Sequence, residues 1–134
     1  MREFKFRFWC EKYKQYIDDK VLIDEDGSVL EYIDSDYENY LRKVDYIPEQ
    51  YTGLKDRNGV EIYEGDIVKT CTDLKCEVIF KDGGFCYKKT NSFYIDYIHF
   101  GGHNYLSTVL DCGVIGNVRE NPELLEVKPW RKMK

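Results

Sequence analysis

A chain of 134 residues with 43% hydrophobic and 16% aromatic side chains is long enough for one domain, or one domain with a small appendage. It can bury a core without disulfides, metal or cofactor, and that composition excludes a disordered segment. The net charge of −5 is unevenly spread: residues 17–49 hold eleven Asp or Glu against three Lys or Arg, a balance of −8 that leaves +3 for the rest.

No apolar run approaches the ~20 residues that span a bilayer, and MREFKFRFWC alternates charge with aromatic residues where a leader would be continuously apolar. The five cysteines (Cys10, Cys71, Cys76, Cys86 and Cys112) are odd in number and lack a C-x-x-C pair, the pattern of reduced thiols. A bacterial or host cytoplasm is expected.

In chain order, REFKFRFWC (2–10) has a strand's period of two, with Phe4, Phe6 and Phe8 assigned to the core and Lys5, Arg7 and Trp9 to the outside. YIDDKVLI, DEDGS and VLEYI read as a hairpin around Asp26-Gly27. Ser35 and Glu38 have capping-box spacing, which predicts a short helix over Asp36 to Val44 with Tyr37, Tyr40, Leu41 and Val44 on one face.

The stretch YTGLKDRNGVEIYEGDIVK (51–69) raises the choice between a ligand-cradling loop and a chain that turns twice before entering a sheet. Asn58-Gly59 suits a type I′ turn and Gly65-Asp66 the step into a strand over Ile67 to Cys71, so the glycines have backbone reasons. KCEVIFKDGGFCYKK reads as a second hairpin, with Cys76, Val78 and Phe80 on one face and a turn at Asp82 to Gly84. Phe93 to Phe100, Leu106 to Leu110 and Gly113 to Val118 complete a series of short strands, and Asn121-Pro122-Glu123 starts a last short helix.

The blocks QYTGLKDRNGVEIYEGDIVK (50–69), EVIFKDGGF (77–85) and VIGNVRENPELLE (114–126), preceded by MREFKFRFW, make the chain resemble the YopX family of bacteriophage and prophage proteins. It departs from the family pattern at Phe8, where a small residue is common, and Cys10, where an Asp is common. The resemblance implies a phage or prophage origin, life in the bacterial cytoplasm and a mainly β fold whose C-terminal part is similar to SH3-like barrels; the expected organisation is an SH3-like barrel over 51–134 packed with an acidic β section over 1–50. It supplies no catalytic or binding residues.

Chemistry is sparsely signalled. Cys71-x4-Cys76 and His99-x3-His103 have ligand-like spacings, but strands and turns separate the pairs where a zinc finger would be compact. Asp24, Asp26 and Gly27 lack the later bidentate Glu of a calcium loop. No G-x-S-x-G, H-E-x-x-H or phosphate-binding loop is present, so a non-enzymatic protein without metal or cofactor is expected.

Tyrosines near Lys88, Lys89 and KPWRKMK leave a nucleic-acid-binding barrel as the alternative, which the overall negative charge disfavours. The acidic section is either a solubilising face or a mimic of a phosphate backbone. Trp9 on the N-terminal strand, and Tyr94, Ile98 and Phe100 on one side of a later strand, are the candidate contact residues. The partner they would meet is another copy of the chain or a host protein.

Overall fold

The computed structural model describes residues 3–18, 20–70, 73–90, 95–99 and 113–126; for Thr90 and residues 95–99 it describes the backbone alone. The fold is mainly β, with antiparallel strand pairs and one short 3-10 helix. The chain divides into two units, Lys5–Gln50 and Met1–Phe4 with Tyr51–Lys134.

In the Lys5–Gln50 unit, β1 (Phe6–Cys10) pairs with β2 (Gln15–Ile17) on one side and with the first half of β6 (Ile47–Lys55) on the other. The expected alternation on β1 fails: Phe4 is 66% exposed, whereas Phe8 and Trp9, neighbours on opposite faces, are both buried. The reason lies in what faces Trp9. Tyr16 stands opposite it with ring centroids 5.0 Å apart, edge to face, and the indole N–H donates to Glu11 at 2.7 Å. With its polar edge satisfied, the indole is stable in a buried position.

Next to Trp9 on the same face is a buried charge. Glu49 accepts Arg7 Nε and the Tyr16 hydroxyl, each at 2.8 Å, on one carboxylate oxygen, and Arg7 lies 4.7 Å from the Tyr16 ring centre.

A second sheet of this unit runs in the order β3 (Val21–Ile23), β4 (Val29–Asp34), β5 (Asn39–Lys43). The hairpin expected around Asp26-Gly27 is β3 and β4. The helix expected over Asp36 to Val44 is instead β5. Ser35 does bind the Glu38 N–H, at 3.1 Å, but its own N–H and hydroxyl both bond the Glu38 carbonyl, at 3.2 and 2.6 Å, and so close a hairpin turn. A capping-box spacing is also a tight-turn spacing, and the tyrosine-rich sequence that follows favours a strand.

In the other unit the second half of β6 pairs with β7 (Glu61–Tyr63), and a five-stranded sheet runs β11 (Ile95–His99), β10 (Gly84–Thr90), β9 (Lys75–Lys81), β8 (Asp66–Lys69), β12 (Gly113–Asn117). Its core joins Ile62, Val68, Cys76, Val78 and Tyr87, with Leu54 and Val114 against it. Phe80, expected beside Cys76 and Val78, is exposed near the hairpin tip and meets Phe85 edge to face at 5.2 Å. Cys10, Cys76 and Cys86 are buried free thiols, and burial pushes the Cys86 thiol up.

One turn design serves three hairpins. Asp24, Asp56 and Thr70 each bond, through their own N–H, the carbonyl of the residue four places on, while their carbonyls accept from Gly27, Gly59 and Asp73. These three donors have φ of +84°, +83° and +66°. The side-chain oxygen of the first residue then takes the N–H four residues later, from Ser28, Val60 and Leu74 at 2.8, 2.9 and 3.2 Å. In the Asp24 and Asp56 loops this is a type I turn closed by one left-handed residue. The expected type I′ turn is therefore absent at Asn58-Gly59, where Asn58 keeps a negative φ; it occurs at Asp82-Gly83, with φ of +54° and +84°.

The C-terminal helix is a 3-10 turn, Pro122–Leu125. Asn121 at its start turns its side chain away from the helix and accepts the Asn117 N–H at 3.2 Å.

Candidate interaction surface

Of the residues expected to form contacts, two have places that the structure describes. Trp9 is buried within β1. Tyr94 and Phe100 lie outside the described residues, and Ile98 stands on β11 opposite Tyr87 in register. Among the described residues no group of three or more His, Cys, Asp or Glu is placed to hold a metal ion. Asp24, the first acid of the calcium-like stretch, spends one oxygen on the N–H groups of Asp26 and Ser28.

Apart from Tyr13 at the β1-β2 turn, the exposed large apolar side chains described in the Lys5–Gln50 unit are on or beside the β3-β4-β5 sheet. Register puts Leu22 opposite Leu30, Leu30 opposite Lys43, and Tyr32 opposite Leu41. Since opposite residues share a face, Leu22, Leu30, Tyr32 and Leu41 form one continuous patch. Leu22 is 41%, Tyr32 36% and Leu41 49% exposed, and Tyr37 at the β4-β5 turn is almost fully so. Lys20 borders the patch, its ammonium 5.7 Å from the Tyr32 ring centre and 3.8 Å from an Asp34 oxygen.

The opposite face of this sheet is partly occupied. Val29 is buried and Ile23 and Ile33 are half-buried. Glu31 accepts Arg42 on one oxygen and the Tyr46 hydroxyl on the other, both at 2.9 Å. Burial, and after it the hydrogen bond to Glu31, pushes the Tyr46 phenol up to about 12. One face of the sheet is thus partly covered, with Tyr40 still 43% exposed, and the other is largely bare, with Leu30 half-buried.

Sequence reading found β3 and β4 but not this surface. The signal was the alternation of Leu30 and Tyr32 with Glu31; what hid it was the assignment of Leu41 to a helix, which removed the strand that completes the patch.

In the other unit a cleft of about 330 Å³ lies between the Asp56 turn and β12, bordered by Arg57, Asn58, Lys69, Thr70, Gly113 and Val114. Lys69 is paired with Asp73 at 3.2 Å, and the Thr70 hydroxyl takes the Leu74 N–H. Among the described residues the Arg57 guanidinium makes no hydrogen bond or ion pair. Asp73 also borders the cleft, which therefore carries charge of both signs.

No described helix is long and apolar enough to cross a membrane. The search of curated proteins finds no match. Among solved structures, the chain is similar to protein EF1440 from Enterococcus faecalis, with 28% identity, a TM-score of 0.57, and coverage of 94% of this chain and all of that one. It is also similar to the protein yopX from Bacillus subtilis, with 27% identity, a TM-score of 0.56, and coverage of 90% of this chain and 97% of that one. The family model described as YopX protein matches residues 5–126, nearly the full length, and the chain therefore belongs to the YopX family.

Proposed function

We propose that this protein is a phage accessory factor that acts in the bacterial cytoplasm by binding another protein, a copy of itself or a host protein, and that it performs no catalysis. The observation that supports this reading is the largely bare face of Leu22, Leu30, Tyr32 and Leu41, displayed on a sheet whose opposite face is already partly covered. A sheet that turns apolar side chains to water on one face is suited to a second layer. The surrounding acidic section, with its balance of −8, narrows which surfaces can approach.

A nucleic-acid role is the second reading, favoured by the Arg57 guanidinium beside Lys69 in the cleft. The two separate on ionic strength. Phosphate contacts weaken as salt rises, whereas apolar docking does not. The test is chromatography on heparin and on single-stranded DNA, beside light scattering and affinity capture of wild type and a Leu22→Lys/Tyr32→Lys variant. Flow-through on both columns, with association lost in the variant, is the expected result. Retention at moderate salt that Arg57→Ala abolishes would replace the protein-binding reading with the nucleic-acid one.

A further inference from the structure

Deepening the reading above, and resting on it, the geometry points to a specific partner for the β5 edge: we infer that two copies of the chain pair β5 to β5, antiparallel, with Leu41 opposite Leu41 on a two-fold axis. Among the described residues β5 bonds β4 alone, and all five of its residues are exposed. Such an edge offers a row of unpaired N–H and C=O groups to a further strand.

Hydrogen-bond parity selects the register. Val44 N–H bonds the Val29 carbonyl at 3.0 Å and Ser35 N–H bonds the Glu38 carbonyl at 3.2 Å, so bonded rungs fall at both ends of the β4-β5 ladder. Antiparallel alternation then gives bonded rungs to Glu31 with Arg42 and to Ile33 with Tyr40. Tyr40 and Arg42 direct their backbone groups to β4. Asn39, Leu41 and Lys43 direct theirs to the open side.

Centring two such edges on Leu41 makes every outward group meet a partner: Leu41 with Leu41, and Asn39 with Lys43 on either side. The side chains agree with the backbone. Leu41 lies on the bare face beside Tyr32, so pairing joins the two apolar patches across the axis. On the other face Tyr40 comes opposite Arg42, whose charge Glu31 neutralises within its own copy at 2.9 Å. Lys43 meets Asn39, a neutral residue. No like charges stand directly opposite, which is the electrostatic condition for a strand to pair with itself.

Of the devices that protect an edge, β5 has charge, in Arg42 and Lys43, but not the two that block pairing through the backbone. It contains no proline, and its register with β4 runs without a bulge. The cost is long-range: two acidic sections approach, so added salt strengthens the pairing, opposite to its effect on phosphate binding.

The full-length chain is tested by light scattering over a concentration series with two substitutions. Leu41→Pro removes only an outward N–H, leaving the β4 ladder intact, and a proline whose missing donor faces solvent is tolerated on an edge. Leu41→Cys places two thiols on a bonded antiparallel rung, about 5.5 Å apart between α-carbons and within disulfide reach. The wild type is expected as a dimer that tightens with salt; Leu41→Pro raises the dissociation constant ~10-fold or more with its thermal transition retained. Leu41→Cys forms a covalent dimer under mild oxidation, and Asn39→Cys, roughly 12 Å or more from its mate, does not.

A wild-type dimer that neither crosslinks through Leu41→Cys nor responds to Leu41→Pro overturns the edge pairing and leaves self-association standing. A monomer at every concentration that captures a host protein through Tyr32 also overturns it, while the protein-binding reading survives. A monomer that captures nothing defeats both.

Discussion

Asp56 and Val114, 58 residues apart in sequence, are joined by a 2.9 Å hydrogen bond from the Val114 N–H to one carboxylate oxygen of Asp56. The other oxygen holds the N–H groups of Asn58 and Val60 at 2.8 and 2.9 Å, so a single buried acid shapes its own turn and ties it to β12. Burial by itself would raise the Asp56 carboxyl, but the bonds from Val114, Val60 and Asn58, with Arg57 nearby, hold it below the usual carboxylate range. A carboxyl depressed in the folded state contributes stability that is complete above its unfolded value and lost as pH falls through the folded one. Urea melts should therefore show Asp56→Ala costing about 3 kcal/mol at neutral pH, with the gap from wild type closing in acid. A gap independent of pH would contradict this role.

For Glu49 the environment is almost closed, and removing one partner of a buried pair costs more than replacing both. Glu49→Ala leaves Arg7 and the Tyr16 hydroxyl without this acceptor and should destabilise by roughly 3–5 kcal/mol. The double change Arg7→Met/Glu49→Leu should recover most of that loss, as measured by denaturant midpoint at constant slope.

Tyr46 reports from the opposite end of the pH scale. Its phenol, raised to about 12, contributes stability that is intact below the ordinary tyrosine value and disappears as pH climbs through about 12. Spectroscopic titration of tyrosinate should show a step near pH 12 in the wild type that is missing from Tyr46→Phe. Glu31→Gln should bring that step to lower pH.

Two glycines near β12 and the Asp56 turn separate backbone need from spatial need. A β-carbon on Gly59 meets nothing within 4 Å, so Gly59→Ala bears only the left-handed φ of +83°, a cost of about 1 kcal/mol. A β-carbon on Gly116 would lie 2.6 Å from the Asn121 side-chain oxygen that accepts the Asn117 N–H. Gly116→Ala should be the worse of the two in thermal melts, although Gly116 has no positive φ.

What could be read from sequence followed from how local the cause was. Turn residues and period-two runs located the hairpins at Gly27 and Gly83 and the strands β1, β4, β9 and β10, because a hairpin is decided within a few residues. Ser35 and Glu38 misled because the same side-chain bond serves a helix start and a hairpin turn, and only the pairing of Tyr32 with Leu41 decides between them. Trp9 misled because its burial depends on Tyr16 across the ladder and on Glu11. The patch is hidden for the same reason: it is a property of three strands in register, and one of them opens with the spacing of a helix start.

Cys10 belongs to one unit, and Cys76 and Cys86 to the other, and all three thiols are buried. An alkylating reagent reaches such a group only when the surrounding structure opens. Pulsed labelling followed by peptide mass analysis would thus time the opening of each unit separately, with no introduced probe, and would show whether the acidic section breathes on its own schedule.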